Sequence, residues 1–232
     1  MKLFADGANV KRMVEMYANP IIAGFTTNPT LMRKAGVSDY EGFAREVLST
    51  VKEKPVSFEV FSDDFGEMEA QALKIASWGE NVYVKIPVTN TRQESSVRLI
   101  ERLSKAGIKL NVTAMLTAGQ VSEVLPALAR GPASFVSIFA GRIADSGIDP
   151  VPIMKEALAM LKSQPKTELI WASPRELYNV VQASQIGCHI ITATDDVLKK
   201  LPLLGKDLLT FSLDTVKMFY DDAKAAGYNI KV

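Results

Sequence analysis

A lysine stands in the middle of an otherwise apolar segment, NVYVKIPV at residues 81–88, and is the first candidate for chemistry. The segment predicts a β-strand, in which alternate side chains point to opposite faces, so Lys85 shares a face with Asn81 and Tyr83. On a solvated edge strand such a lysine would only discourage pairing with another strand. In a buried site, the charged form of an amine is disfavoured, and a neutral amine can attack a ketone to give an iminium.

Cleavage of a carbon–carbon bond through an iminium also needs a group that moves the proton of the neighbouring hydroxyl. Asp6 and Glu59 are the candidates, and Glu59 can act through a water that Thr113 helps to orient. Two structural alternatives stay open. Asp6 can cap a helix that starts near residue 8, and Glu59 can pair with Lys85 without any part in catalysis.

Eight predicted strands, separated by helical segments, must position these residues. The strands are predicted at residues 2–6, 21–26, 56–60, 82–86, 108–113, 134–139, 168–172 and 188–193, and a final helix near 206–225. This order predicts an α/β protein, a single (β/α)8 TIM barrel with an extra C-terminal helix, as one domain over residues 1–232. The alternative, an open doubly wound sheet, usually has a Gly-rich phosphate loop after its first strand, where this chain reads ADGANV.

A barrel changes the interpretation of the polar strand residues. Both faces of each barrel strand are buried, one against the helices and one inside the barrel. The interior is normally filled with bulky apolar side chains, and active sites lie at the carboxyl ends of the strands. The polar residues of several strands therefore favour a functional interpretation of Lys85 over the edge interpretation.

Composition argues against several classes of partner. The chain has 27 basic and 26 acidic residues, so it has no electrostatic footprint for nucleic acid or an acidic membrane. No apolar run is long enough to span a bilayer, and MKLFADGAN lacks the apolar stretch of a signal peptide, so we expect a cytoplasmic protein. Cys188 and His189 are the sole residues of their types, which excludes an internal disulfide and a Cys/His metal cluster. Composition leaves magnesium bound by carboxylates open, but nothing points to it, and we expect no cofactor.

Five ordered motifs resemble those of a known enzyme family. They are GFTTNPTL at 24–31, VYVKIPVT at 82–89, NVTAM at 111–115, SIFAGRIADSG at 137–147 and ASPR at 172–175. Their series is similar to that of the transaldolase family, in its short branch, which includes the fructose-6-phosphate aldolases. The resemblance covers nearly the whole chain. It implies a (β/α)8 barrel, class I Schiff-base chemistry without a cofactor, sugar-phosphate substrates and a ring-like homo-oligomer, a pentamer or decamer.

The resemblance also implies roles for individual residues. Lys85 matches the imine-forming lysine, Asp6 matches the acid/base aspartate, and Glu59 and Thr113 match the pair that holds the catalytic water. The substrate-binding positions are Thr27, Asn28 and Asn111 around the dihydroxyacetone unit, Phe139 beside the reacting carbon, and Arg142, Ser173 and Arg175 at the phosphate. The chain departs from the usual pattern at ADGAN and at SPREL, residues 173–177, which leaves the preferred acceptor open.

Two positions bear on the reaction itself. Relatives with aldolase activity tend to have Tyr at the position of Phe139 and Gln at that of Glu59. The resemblance therefore favours a transaldolase, which moves a dihydroxyacetone unit from fructose 6-phosphate or sedoheptulose 7-phosphate to erythrose 4-phosphate or glyceraldehyde 3-phosphate. An aldolase that releases free dihydroxyacetone is the first alternative. A non-catalytic sugar-phosphate-binding or scaffold protein on the same fold is the second.

Overall fold

Eight parallel strands close into a barrel in the computed structural model, which describes residues 1–231. The strands follow one another around the barrel in chain order, and β8 pairs with β1. They are β1 (Lys2–Asp6), β2 (Ile22–Thr26), β3 (Val56–Glu59), β4 (Val82–Pro87), β5 (Leu110–Met115), β6 (Ser134–Ile138), β7 (Thr167–Trp171) and β8 (Ile190–Thr194). The predicted (β/α)8 barrel is confirmed, and the open doubly wound sheet is excluded.

Helices connect the strands, and an extra helix follows the last one, as predicted. They are α1 (Val10–Tyr17), α2 (Pro29–Lys34), α3 (Tyr40–Thr50), α4 (Phe65–Ala76), α5 (Val97–Lys105), α6 (Ala118–Leu128), α7 (Ala140–Asp145), α8 (Pro150–Leu161), α9 (Tyr178–Gln185), α10 (Asp195–Leu198) and α11 (Leu208–Ala225), with a short 3-10 helix at Leu201–Leu203.

Two strands begin two residues later than predicted, and the cause is the same in both. A glycine at positive φ lies two residues after the end of each preceding helix, Gly107 at 82° after α5 and Gly187 at 74° after α9. The next residue then closes the helix, because the amide of Ile108 bonds the carbonyl of Leu103, and that of Cys188 bonds the carbonyl of Ala183. The residue after each glycine therefore belongs to the helix cap, and the strands start at residues 110 and 190.

Aspartates cap two of the helices. Asp39 caps α3, and Asp64 caps α4, where its carboxylate accepts from two amides. Asp63 instead accepts from the amide and hydroxyl of Thr91 and from the guanidinium of Arg92.

The barrel interior has an apolar half and a polar half. Toward the strand starts, the ring of Phe135 stacks on Tyr83 at 4.1 Å and meets Phe4 edge-on at 5.7 Å. Gly24 leaves room for the Phe4 ring, since a Cβ there would lie 2.5 Å from it. Inward residues nearer the strand ends are polar, so the core residues close one end of the barrel and leave a polar layer at the other.

The chain divides into two compact units, Met1–Leu198 with the barrel and a C-terminal unit from Lys199 onward. In the second unit, Asp207 caps α11, and Lys206 pairs with Asp214 at 2.6 Å. The assignment of one domain to residues 1–232 stays a prediction, and residue 232 lies outside the described part of the chain. Within residues 1–231, no helix has the length and apolar character needed to cross a membrane.

Candidate active site

Lys85 lies inside the barrel, on a strand paired on both sides, so the edge-strand interpretation is wrong. Only 5% of the residue is exposed. Its Nζ donates to the carbonyl of Thr27 at 2.8 Å and lies 2.8 Å from Oε2 of Glu59. Glu59 and Lys85 are direct partners in the pairing of β3 with β4, so the period of the strands places the amine and the carboxylate on one inward level.

Asp6 ends β1 on the same side of the barrel, and it does not cap α1, whose cap is Asn9. Its Oδ1 accepts from Oγ1 of Thr26 at 2.8 Å, and that hydroxyl is 2.5 Å from Oγ1 of Thr192. Burial raises the pKa of Asp6 above its ordinary value, against the opposing effects of the Lys85 ammonium and the Thr26 hydrogen bond. The negative charge of Glu59 adds to the rise. The three ionisable groups are therefore electrostatically coupled.

A second polar group follows Lys85 around the barrel. Asn111, the strand partner of Lys85 on β5, donates to Oγ of Ser57 at 3.1 Å and accepts from Oγ of Ser137 at 2.7 Å. Thr113 is two residues further along the same face, and its buried Oγ1 has no hydrogen-bond partner among the described residues. A buried hydroxyl that makes no hydrogen bond to the protein here can form one with a substrate or a water.

The end of β5 is distorted directly after Thr113. Ala114 has a φ of 63°, and the pairing of β5 with β6 shifts register between Val112 and Met115. Residues other than glycine adopt positive φ at a cost of order 1–3 kcal/mol, and such strain and bulges concentrate beside functional sites. The distortion marks this end of the barrel as the candidate site.

Thr27 and Asn28 connect β2 to α2 beside Lys85. Thr27 is fully buried, its hydroxyl donates to the carbonyl of Ser57 at 2.9 Å, and its own carbonyl accepts from Lys85. Asn28 is half-buried and caps α2, with its Oδ1 accepting from the amide of Leu31 at 2.9 Å. Among residues 1–231 the Nδ2 group of Asn28 has no partner, so it can donate to a ligand.

Phe139 follows β6 and is partly buried against the apolar cluster of the barrel interior. The guanidinium of Arg142 lies over its ring, 5.7 Å from the centroid. Arg142 itself is exposed, on α7. Phe139 thus joins the apolar core to the first of the predicted phosphate-binding residues.

Ser173 and Arg175 follow β7, where the backbone comes very close to α7. Ser173 has a φ of 62°. A Cβ on Gly141 would lie 1.6 Å from the Ser173 carbonyl oxygen, so only glycine fits there. Arg175 makes a forked ion pair with Asp145, and its amide donates to Oδ1 of Asn179 at 2.7 Å. Within residues 1–231, no hydrogen bond or ion pair joins Arg142 or Arg175 to Lys85.

Several polar residues of the site were not among the sequence candidates. Ser137 and Thr26 face inward by the same alternation that places Asn111 and Asp6, so strand parity was a usable signal. Tyr40 had no such signal, because it begins α3. Its hydroxyl donates to the carbonyl of Glu59 and accepts from the amide of Glu59, both at 2.8 Å. Burial raises the pKa of this phenol, which therefore stays protonated.

This arrangement can support imine chemistry. A single buried lysine is in contact with one carboxylate and coupled to a second, and amide and hydroxyl groups surround it at the end of the barrel where TIM-barrel enzymes act. Arg142, after β6, and Arg175, after β7, offer guanidinium groups that suit a phosphate.

Comparison with known proteins identifies the family of the chain. A family model described as "Transaldolase/Fructose-6-phosphate aldolase" matches residues 3–231. A protein of Thermoanaerobacter sp. named "Probable transaldolase" is 36% identical over 231 residues, which is 99% of this chain and 100% of the relative. Proteins with the same name from Clostridium acetobutylicum and Dehalococcoides mccartyi are 38% and 35% identical, over 94% and 92% of this chain and 99% and 97% of their own lengths. The chain is therefore an enzyme of the transaldolase/fructose-6-phosphate aldolase family.

Proposed function

We propose that this enzyme is a transaldolase that transfers a dihydroxyacetone unit between sugar phosphates through a Schiff base on Lys85. The observation that carries the proposal is the position of Lys85, inside the barrel and 2.8 Å from the Glu59 carboxylate. Its donor is fructose 6-phosphate or sedoheptulose 7-phosphate, and its acceptor is erythrose 4-phosphate or glyceraldehyde 3-phosphate.

Glu59 takes a proton from the ammonium of Lys85, and the neutral amine attacks the ketone carbon of the donor. Glu59 then returns the proton to the carbinolamine hydroxyl, which leaves as water and gives an iminium. Asp6 takes the proton of the hydroxyl on the fourth carbon as the bond between the third and fourth carbons breaks. The bonding electrons pass to the iminium, which becomes an enamine, and an aldose phosphate leaves. The enamine then attacks the acceptor aldehyde, Asp6 returns the proton to the new hydroxyl, and water releases the product ketose.

Glu59 and Thr113 are assigned to the water that enters and leaves during imine formation. The carboxylate is beside Nζ, and the Thr113 hydroxyl is unpaired within the described chain, so both have acceptor capacity for that water. Asn111 and Asn28 are assigned to the hydroxyls of the dihydroxyacetone unit. Asn111 is held between Ser57 and Ser137, which fixes the orientation of its amide.

Arg142, Ser173 and Arg175 are assigned to the phosphate of the substrate. Guanidinium groups bind phosphate through two parallel hydrogen bonds, and a hydroxyl adds a donor. The close packing of Gly141 on Ser173 supports this assignment, because it brings the two arginine-bearing segments together.

Transfer is preferred to release because of Phe139. A phenol beside the enamine carbon could supply the proton that frees dihydroxyacetone, whereas a phenyl ring cannot. The aldolase that releases free dihydroxyacetone is the second candidate, and the family description includes both activities.

Borohydride trapping with fructose 6-phosphate tests the proposal. We expect reduction to add a dihydroxyacetone-derived fragment to the peptide that contains Lys85, and Lys85→Met to lose the adduct and all turnover while still folding cooperatively. Lys109→Met, at the start of β5 on the opposite end of the barrel, is the matched control and should keep both. Binding of the sugar phosphate without an adduct would favour the non-catalytic alternative. Release of dihydroxyacetone without acceptor, as fast as transfer, would favour the aldolase.

We also propose a cytoplasmic homo-oligomer, a pentamer or decamer, with sugar phosphates as its ligands. The support for assembly is the apolar surface of α11, where Leu208, Leu209 and Phe219 are 79%, 82% and 64% exposed. Sedimentation velocity would test the state of assembly.

A further inference from the structure

An ion pair joins the two segments that hold the proposed phosphate-binding arginines. Asp145 ends α7, and Arg175 lies in the loop after β7. The Nε group of Arg175 donates to Oδ1 and Oδ2 of Asp145 at 3.0 and 3.1 Å, and Nη2 also donates to Oδ2. The carboxylate of Asp145 therefore binds the Nε and Nη2 edge of the guanidinium.

A guanidinium has a second edge that can bind an oxyanion. It is formed by Nη1 and the remaining hydrogen of Nη2, and its two N–H groups are parallel, as a bidentate phosphate contact requires. Nη1 of Arg175 has no partner among the described residues. Asp145 thus holds one edge of the guanidinium and leaves the other edge open.

The backbone fixes both partners of this ion pair. The Gly141 amide donates to the carbonyl of Ala172 at 3.4 Å, and a Cβ on Gly141 would come within 3.3 Å of Nε of Arg175. The amide of Arg175 is held by Asn179. The hydrogen bonds from Arg175 hold the pKa of Asp145 below its ordinary range, against the opposing effect of burial, and the positive charges of Arg175 and then Arg142 add to this effect. Asp145 therefore stays ionised at neutral pH.

We propose that Asp145 is a positioning residue of the phosphate site, which orients Arg175 so that its open edge meets the phosphate of the substrate. An unrestrained arginine must give up its side-chain mobility when phosphate binds, and Asp145 removes much of that cost in advance. The inference deepens the proposed function and rests on it. The competing view is that Asp145 and phosphate exclude each other at Arg175.

Kinetics with two substrates separate these views. We expect Asp145→Asn to raise the KM for fructose 6-phosphate about tenfold, the size of one charge-assisted hydrogen bond. Borohydride trapping of unphosphorylated dihydroxyacetone on Lys85 should be affected much less. Glu69→Gln is the matched control, because Glu69 holds the same edge of Arg102 on the helical surface. It should leave both measurements unchanged. Arg175→Ala should raise the KM for fructose 6-phosphate by a smaller factor in the Asp145→Asn variant than in the wild type.

Calorimetric titration with inorganic phosphate needs no turnover and tests the inference if the proposed reaction fails. Weaker phosphate binding by Asp145→Asn than by the wild type supports the inference. Equal or tighter binding overturns it, since tighter binding would mean that Asp145 competes with phosphate. The inference is also overturned if Asp145→Asn weakens the reaction with fructose 6-phosphate and the trapping of dihydroxyacetone by the same factor. The ion pair would then be structural. A wild type that binds phosphate but traps no sugar on Lys85 would instead refute the proposed function.

Discussion

Tyr40 is expected to hold the end of β3, and with it Glu59, in place. The strand pairing of β2 with β3 stops at Ser57, so the amide and carbonyl of Glu59 have no strand partner on that side. The phenol of Tyr40 bonds both groups at 2.8 Å. Tyr40→Phe removes this one oxygen and keeps the ring, which packs on Trp78 and Phe58 with centroids 6.1 and 6.5 Å away.

The expected loss follows from the two backbone groups that become unpaired. A buried donor or acceptor without a partner costs about 1–3 kcal/mol. Because the site is part-buried, we take the low end for each group, or about 2 kcal/mol in total. For a chain of this size each kcal/mol lowers Tm by roughly 2–4 °C, so the expected fall is about 4–8 °C. We also expect lower kcat, because Glu59 would no longer be held beside Lys85.

Thermal unfolding of Tyr40→Phe, with kcat measured on the same preparation, is the assay. Tyr178→Phe is the matched control, because Tyr178 is 55% exposed and begins a helix far along the chain. The control should differ from the wild type by less than about 1 °C. A Tyr40→Phe protein that melts with the control would refute the reasoning, since the two hydrogen bonds would then carry no net free energy.

Two further substitutions test the site. Burial raises the pKa of Asp6, so the folded protein binds the carboxyl proton more tightly than the unfolded chain does. This tighter proton binding stabilises the fold fully below pH 3.8, where the unfolded carboxyl titrates, and the stabilisation is lost as pH rises through the folded pKa. Asp6→Asn should therefore raise Tm at pH 7, by roughly 2–4 °C for each kcal/mol, with a gain that shrinks toward pH 4 and with loss of turnover; a lower Tm at pH 7 would mean that attraction to Lys85 outweighs burial. Phe139→Tyr should increase acceptor-free release of dihydroxyacetone from fructose 6-phosphate and reduce transfer to erythrose 4-phosphate. An unchanged release rate, with normal imine trapping, would show that the ring does not control protonation of the enamine.

The barrel and its inward layer were predictable from the sequence because strand periodicity is local. Once a segment is known to be a strand, the side of each residue follows from its parity, and this placed Lys85, Glu59 and Asn111 together inside the barrel. The closed barrel follows from the repeated β–α order. The roles of these residues stay predictions, because geometry alone does not show which bond is broken.

Contacts from the helices and loops were not predictable in the same way. Tyr40 reaches Glu59 from the start of a helix, and Asp145 reaches Arg175 across 30 residues of chain, so no sequence period connects them. The late starts of β5 and β8 have a similar cause. A Gly after a helix can precede a strand directly or close the helix with the following residue, and only the packed structure decides between these outcomes.

The polar layer also explains why Asp6 suits both halves of the proposed reaction. Lys85 and Glu59 form an ion pair, so a third charge on Asp6 would leave the buried group with a net negative charge. Burial and the charge of Glu59 both raise the pKa of Asp6, which eases this excess by retaining a proton at higher pH. A group that must accept a proton during cleavage and return it during bond formation works best when its pKa moves toward the working pH. The arrangement that makes Asp6 costly to bury is thus the one that fits it for proton transfer.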